Sequence, residues 1–434
     1  MPAAGDFPKR LAIVNGQIDQ LRALLPELIG ANLLYTRKLA DAGVRPNLRD
    51  LEEFATLLPF TTKQELVDDQ RATPPYGTNL TYPPDRYTRC HQTSGSTGTP
   101  LRWLDTPESW ERMLRSWERV HRLGGTTRAD RIFFAFSFGP FLGFWTAFES
   151  ASRMGCLCLP GGGMSSAARL HAIFDHQATV LCCTPSYALH LAEVAAAEKM
   201  DLAKSSVRLL NVAGEPGGSI SATRARLEQL WPGARVYDHH GMTETGPVTY
   251  ECPARPCVLH VMEDAFLPEV IDPATGRQVA PGEIGELVLT TLGRAGSPLL
   301  RYRTGDLVRP AAETLCECGR NELALEGGIL GRIDDMVVVR GVNIYPSAVE
   351  EIIRRCGGVA EYQVNINTAR ALTEISVRVE AERNSADAAG LAEKLENLFQ
   401  ASLLLRVPVT LVAAGNLPRF EGKARRWMKT ETRS

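Results

Sequence analysis

The sequence is nearly without net charge: 48 Lys plus Arg stand against 50 Asp plus Glu, a formal −2. That balance excludes nucleic acid and anionic membrane as main partners, since both need a basic surface. A membrane-spanning run is also missing. The longest apolar stretch, 133–148, is interrupted by Ser137, Gly139, Pro140 and Gly143, and is too short for a bilayer. The opening residues, Met1-Pro2-Ala3-Ala4-Gly5-Asp6, have no basic flank with an apolar core. No export signal is read there, and a cytoplasmic location is expected. Internal repeats and low-complexity tracts are absent. What remains is an ordinary globular composition, 44% hydrophobic and 23% charged over 434 residues, a length that predicts two or three domains. Without an export signal, the ten cysteines read as thiols or metal ligands, not as a disulfide frame.

One stretch cannot belong to any core. Thr93-Ser94-Gly95-Ser96-Thr97-Gly98-Thr99-Pro100 holds hydroxyls, two glycines and a proline. It is therefore a loop, and it follows a short β-type run at 87–91. Glycine lets the backbone approach closely, so the loop can offer N–H and O–H groups to an oxyanion such as a phosphate chain. It is not the common G-x-x-x-x-G-K-[ST] phosphate loop, because Leu101 and Arg102 follow Pro100. A plain Ser/Gly linker is the competing reading.

The first 85 residues read as helical, with Leu21, Leu24, Leu25 and Leu28 on one face and a capped start at Thr61-Thr62-Lys63-Gln64-Glu65. A helix is expected over 107–123, ending at Gly124-Gly125. Strands at 131–136, 179–183, 207–212 and 235–238 alternate with helices such as 165–175 and 186–199. That order predicts a parallel sheet with helices on its faces. Short β-type runs at 258–261, 269–271, 285–289 and 298–302 suggest a small β subdomain over about 250–330. A last unit reads as a strand at 336–340, a helix at 346–355, a strand at 374–380, a helix around Leu391, Leu395, Leu398 and Phe399, and a strand at 407–412. This fits a split β-α-β-β-α-β, ferredoxin-like α+β unit.

Six further stretches follow the loop in order: Gly214-Glu215-Pro216, Tyr237-Asp238-His239-His240-Gly241-Met242-Thr243-Glu244, Arg301-Tyr302-Arg303-Thr304-Gly305-Asp306-Leu307, Gly331-Arg332-Ile333-Asp334-Asp335, Arg340-Gly341-Val342-Asn343-Ile344-Tyr345-Pro346, and Leu417-Pro418-Arg419-Phe420-Glu421-Gly422-Lys423. The ordered set over 93–423 resembles the acyl-adenylate-forming superfamily, most closely its phenylacetate–CoA ligase branch. The resemblance implies an α/β fold: a large N-terminal domain (1–331) of parallel sheets covered by helices with the β subdomain, and a small mobile C-terminal domain (335–434) hinged at Asp334.

It also implies chemistry. A carboxylic acid attacks the α-phosphorus of ATP, pyrophosphate leaves, and a thiol, coenzyme A in this branch, displaces AMP. Joining two anions is a task of positioning and electrostatic stabilisation. The resemblance assigns Thr93, Ser94, Gly95, Ser96, Thr97 and Gly98 to the phosphates, Thr243 to the α-phosphate, and Glu244 to Mg²⁺, which favours a few protein oxygens plus phosphate oxygens. Asp306 would hold the ribose, helped by Arg332. Gly214, Glu215 and Pro216 would line the adenine and acyl sites, with Asp238, His239 and His240 against adenine; His240 stands where the family commonly has Tyr. Lys423 would bridge carboxylate and α-phosphate as the adenylation lysine, against the plain reading of a solvated basic tail. The loop at 340–343 would shape the thiol tunnel after domain rotation.

Cys252, Cys257, His260, Cys316 and Cys318 could form a tetrahedral structural Zn²⁺ site. Part of the same branch carries Cys252, His260, Cys316 and Cys318 as ligands; from spacing alone Cys257 can replace His260, and free buried thiols are the bland alternative. Phe136, Phe141, Trp145, Tyr187 and Gly214 would wall a pocket for an aromatic acid, although rings in such a run also pack cores. The expectation is an ATP-dependent, AMP-forming ligase for an aromatic or arylacetic acid, with coenzyme A as acceptor. A hydroxyl, an amine or a carrier-protein thiol are alternative acceptors. A non-catalytic nucleotide- or zinc-binding module is the rival from another class. A homodimer is among the compatible assemblies.

Overall fold

The computed structural model describes residues 7–93, 99–313, 315–339, 342–367, 373–382, 390–420 and 424–430. Helices Arg10–Leu28, Leu33–Asp41, Leu51–Leu57 and Lys63–Ala72 open the chain. Leu21, Leu24, Leu25 and Leu28 are buried as their spacing predicts. The helix at Lys63 begins with a reciprocal capping box between Thr62 and Glu65. This helical layer packs on Leu267, Leu292, Leu299, Leu300 and Tyr302 of the later β region. It is pinned there by Arg301, which donates to the carbonyls of Ala55 and Leu58 and pairs with Glu269 at 2.7 Å.

Behind it lies a five-stranded, wholly parallel sheet. Its order is Leu157–Pro160, Arg131–Phe134, Val180–Cys183, Leu209–Val212, Arg235–Asp238. Helices Leu142–Arg153, Ser166–Asp175, Pro185–Ala197 and Ser221–Leu230 connect the strands. The four expected strands are present. Leu157–Pro160 was not foreseen: it is a half-exposed edge strand that ends on proline and runs into three glycines, so it reads as a loop. The carboxyl ends of these strands carry Thr184, Gly214 and His239, the edge at which parallel α/β sheets bind ligands.

The β region contains a four-stranded antiparallel sheet of Phe266–Ile271, Gly285–Thr291, Tyr302–Val308 and Gly331–Arg332, and a three-stranded one of Thr249–Glu251, Val258–Val261 and Ala324–Glu326. The strand expected at 298–302 is corrected. Leu299 and Leu300 are fully buried but lie in a connection, and the strand runs from Tyr302 to Val308. Apolarity there signals packing against the leading helices, not pairing.

The last unit has its own core, drawn among the described residues from positions 337 to 427. It is an α+β unit with a four-stranded sheet, ordered Val409–Val412, Glu374–Ala381, Val359–Asn367, Trp427–Thr430, and two helices, Pro346–Cys356 and Leu391–Leu403. One detail differs from expectation. The first strand, Val337–Val339, leaves the sheet to pair with Val342–Ile344 in a hairpin, and Trp427–Thr430 fills the fourth place in parallel with Val359–Asn367. Arg340 and Gly341 lie outside the described residues.

Candidate active site

The hydroxyl-rich stretch links two strands that pair antiparallel, Arg89–Gln92 and Arg102–Asp105. Ser94, Gly95, Ser96, Thr97 and Gly98 lie outside the described residues. Thr93 is buried and closes the base of that stretch: its N–H donates to the Leu101 carbonyl at 2.9 Å, and its Oγ1 accepts from the Leu101 N–H at 3.0 Å. The Thr93 hydroxyl therefore fixes the loop mouth.

The same strand pair reaches the Thr243-Glu244 turn through buried charge. Asp105 accepts two bonds from Arg294, both 2.6 Å, with side chains 0% and 4% exposed. Arg294 Nη1 also donates to the carbonyls of Thr243 at 3.0 Å and Glu244 at 2.7 Å. Because the backbone of this turn is held, the buried Glu244 carboxylate has a defined place. Tyr302 donates to its Oε1 at 3.4 Å, and Lys63 Nζ lies 3.3 Å from the same oxygen. Lys63 was missed as a site residue, since a lysine at the start of a capped helix reads as solvated charge. Glu244 is thus a buried carboxylate on an anchored backbone, with an ammonium group at ion-pair distance.

Asp306 and Arg332 come together. They are ladder partners, and Arg332 Nη1 donates to Asp306 Oδ1 at 2.7 Å. Asp306 sits on a strand and not in the expected turn; the ladder shifts register opposite it, and Gly305 takes a positive φ of 77°. His240 Nε2 lies 3.0 Å from Asp306 Oδ2, so the imidazole joins the Asp306–Arg332 pair. His239 is corrected. Its side chain enters the core, edge-on to Trp117 at 4.4 Å, and burial holds it neutral with its pKa lowered to about 3. Adjacent residues of an extended segment face opposite sides, so only one of the two histidines can serve the site. Asp238 is also turned inward. Ser219 donates to it at 2.6 Å, and burial lifts its carboxyl to about 6 against that hydrogen bond.

At the neighbouring strand end Gly214 adopts a positive φ of 95° and turns the chain into Glu215 and Pro216. Both oxygens of the half-buried Glu215 carboxylate are engaged. They accept from the backbone N–H of Ser186 at 2.7 Å and of Ala424 at 2.8 Å. Lys423, the residue before Ala424, lies outside the described residues. Asp334 is exposed in a short turn, Ile333–Asp335.

Phe136, Phe141 and Trp145, expected to wall an acid pocket, belong to one cluster of rings. Phe136 stacks on Phe144 at 4.1 Å, Phe141 meets Phe144 edge-on at 5.9 Å, and Trp145, 39% exposed, meets Phe138 at 5.1 Å. Tyr187 is corrected: it is fully buried in the core, its hydroxyl held by Arg169 at 2.6 Å and by Ser166 at 3.0 Å.

Away from these groups, Cys252, His260, Cys316 and Cys318 bring their donor atoms within 4.8 Å of one another. The Cys252 and Cys316 sulfurs are 3.6 Å apart, and Cys318 Sγ is 3.4 Å from His260 Nε2. Those separations approach the edge of a tetrahedron with metal–sulfur bonds of about 2.3 Å. His260 Nδ1 lies 3.3 Å from the Glu322 carbonyl, which leaves Nε2 to face the cluster, the usual arrangement of a ligand histidine. Cys257 is outside the group: it has a positive φ of 65°, and its N–H donates to Glu251. Burial pushes the Cys252 thiol up to about 12. It would raise Cys318 too, but bonds from His260 and Arg320 bring that thiol down to about 6.

Residues 53–294 match the AMP-binding enzyme family, and residues 341–430 match the AMP-binding enzyme C-terminal domain. Fold and site together define an AMP-forming acid–thiol ligase. The chain belongs to the AMP-binding enzyme family, in the acyl-adenylate-forming superfamily that its ordered motifs resemble. Phenylacetate-coenzyme A ligase of Pseudomonas putida is 32% identical over 422 residues, covering 95% of this chain and 93% of its own. The enzyme of that name from Escherichia coli K12 is 32% identical over 433 residues, with 95% of each chain covered. Among solved structures, 2-hydroxyisobutyryl-CoA ligase in its postadenylation state with R3-HIB-AMP superposes with a TM-score of 0.90 at 29% identity, covering 99% of this chain and 90% of its own. In the thioesterification state, with 2-HIB-AMP and CoA, the TM-score is 0.69 at 30% identity, with the same coverage. The present arrangement is thus closer to the postadenylation state. No described helix is long and apolar enough to cross a membrane.

Proposed function

We propose that the protein activates an aromatic or arylacetic acid as its acyl-adenylate and passes the acyl group to coenzyme A. The observation that carries this reading is the convergence of Glu244, Tyr302 and Lys63 with the Asp306–Arg332–His240 cluster. ATP would lie with its ribose on Asp306 and its phosphates between the hydroxyl-rich stretch and Glu244. Glu244 would hold Mg²⁺, which neutralises phosphate charge when bound. Lys63 and Lys423 would supply the cationic groups around the reacting carboxylate and α-phosphate, Lys423 as the adenylation lysine. Ser94, Gly95, Ser96, Thr97 and Gly98 would cradle the departing phosphates with N–H and O–H donors. Thr243 would bond the α-phosphate.

The phenylacetate ligases among the relatives and the rings of Phe136, Phe138, Phe141, Phe144 and Trp145 support an aromatic substrate. The large domain would span 1–331 and the small one 335–434, turning about Asp334 between the two half-reactions. Cys252, His260, Cys316 and Cys318 would hold a structural Zn²⁺ that pins the β subdomain and takes no part in chemistry. The test is a panel of carboxylic acids assayed for pyrophosphate release from ATP, with and without coenzyme A, and with product masses recorded. Release with aryl acids and formation of their thioesters is expected. No release with any acid would refute the ligase reading, and adenylate formation without thioester would refute coenzyme A as acceptor.

A further inference from the structure

The helix Ser221–Leu230 begins badly on its own sequence: its N-cap is Ile220, which offers no side-chain acceptor. A helix start without an acceptor leaves backbone N–H groups unsatisfied. The acceptor comes from the other core. Glu351, on the helix Pro346–Cys356 of the C-terminal unit, accepts from the Ala222 N–H at 3.0 Å. The reverse occurs at the helix Pro185–Ala197. There Glu215 of the large unit accepts from Ser186 at its first turn and, with its other oxygen, from Ala424 of the C-terminal unit. Arg426, anchored on Glu361 at 2.6 Å, completes that contact by donating to Ser186 Oγ at 3.0 Å. Arg419–Glu193 at 2.8 Å and Arg226–Glu382 are also polar. None of the described core clusters spans the joint.

We propose that Glu351 and Glu215 are positioning residues for the first half-reaction. Each carboxylate caps a helix start of the large unit, and together they clasp the C-terminal unit in the arrangement that superposes on a postadenylation state. The inference rests on the adenylate-forming reading and specifies how one of its two arrangements is selected. A carboxylate at a helix N-terminus gains from the aligned backbone dipoles. It is also readily exchanged for water, which suits a contact that must break in every cycle. A cap of this kind contributes enough to shift a two-state population by roughly three- to tenfold.

The experiment combines half-reaction rates with amide hydrogen exchange on the full chain. In Glu351→Ala, adenylate formation should fall by roughly three- to tenfold, while transfer from supplied phenylacetyl-adenylate to coenzyme A stays unchanged. Exchange at 424–430, the segment that Glu215 holds through Ala424, should quicken. Glu351→Gln, which keeps an acceptor oxygen, should recover part of the loss. Glu215→Gln should in turn quicken exchange at 221–224. Equal loss in both half-reactions, or unaltered exchange at 424–430 in Glu351→Ala, overturns the proposal. If wild-type protein forms no adenylate with any acid, the functional reading fails, and the exchange data alone still decide the clasp.

Discussion

Removing the Asp105 carboxylate should cost the protein more than any exposed substitution. Both oxygens of Asp105 engage Arg294, and neither side chain is more than 4% exposed. In Asp105→Ala the guanidinium would stay buried without its counter-charge, a loss of about 3–5 kcal/mol. Unfolding entropy is about 2.1 cal/mol/K per residue; over the roughly 330 residues of the large unit this is about 0.7 kcal/mol/K. The expected fall in Tm is therefore about 4–7 °C. A second variant separates stability from function. Asp105→Leu combined with Arg294→Met removes both charges, and replacing a buried pair by apolar side chains is often close to neutral. That double variant should recover most of the Tm. It should not recover adenylation, because the bonds from Arg294 to the Thr243 and Glu244 carbonyls are gone. Thermal unfolding and pyrophosphate release measure the two effects. A Tm shift within about 1 °C for Asp105→Ala, the size of an ordinary surface change, would refute the reasoning, as would full activity in the double variant.

Other outcomes follow from the same geometry. Cys316→Ser should lose the bound zinc measured by metal analysis, whereas Cys257→Ser should retain it; zinc undiminished in Cys316→Ser would remove the site. Lys423→Ala should lose adenylate formation by at least about a hundredfold, the scale of one positioned electrostatic group, yet keep thioester formation from supplied adenylate. Equal loss of both would contradict its role. Glu244→Gln should weaken the dependence of adenylation on Mg²⁺ concentration, and an unaltered Mg²⁺ titration would place the metal elsewhere.

Local signals were legible wherever capping and periodicity agreed. The helix Pro107–Leu123 has the bounds read for it and ends at Gly124, and the structure adds Thr106 as its cap. Strand Arg235–Asp238 has the bounds expected of it. The family resemblance also put Asp306 and Arg332 together before their pairing was visible. What stayed hidden depends on partners far along the chain. Nothing local tells which of His239 and His240 faces the core. Nothing local shows that Leu299 and Leu300 are buried by helices more than two hundred residues earlier. The choice of His260 over Cys257 likewise needed the register of Val258–Val261, which pairs His260 with Ala324 next to the Cys316 turn. Lys63 escaped because its counterpart Glu244 is distant in sequence.

The leading helices have a bearing on how this chain can be shortened or fused. The family match begins at residue 53, yet Leu21, Tyr35 and Leu48 are buried against the later β region. Lys38 reaches the Phe60 carbonyl and Glu65 at the very turn that presents Lys63. Trimming to the recognised module would thus strip a wall from the β region and loosen the approach of an ammonium group to Glu244. A tag placed ahead of Arg10 leaves that wall standing.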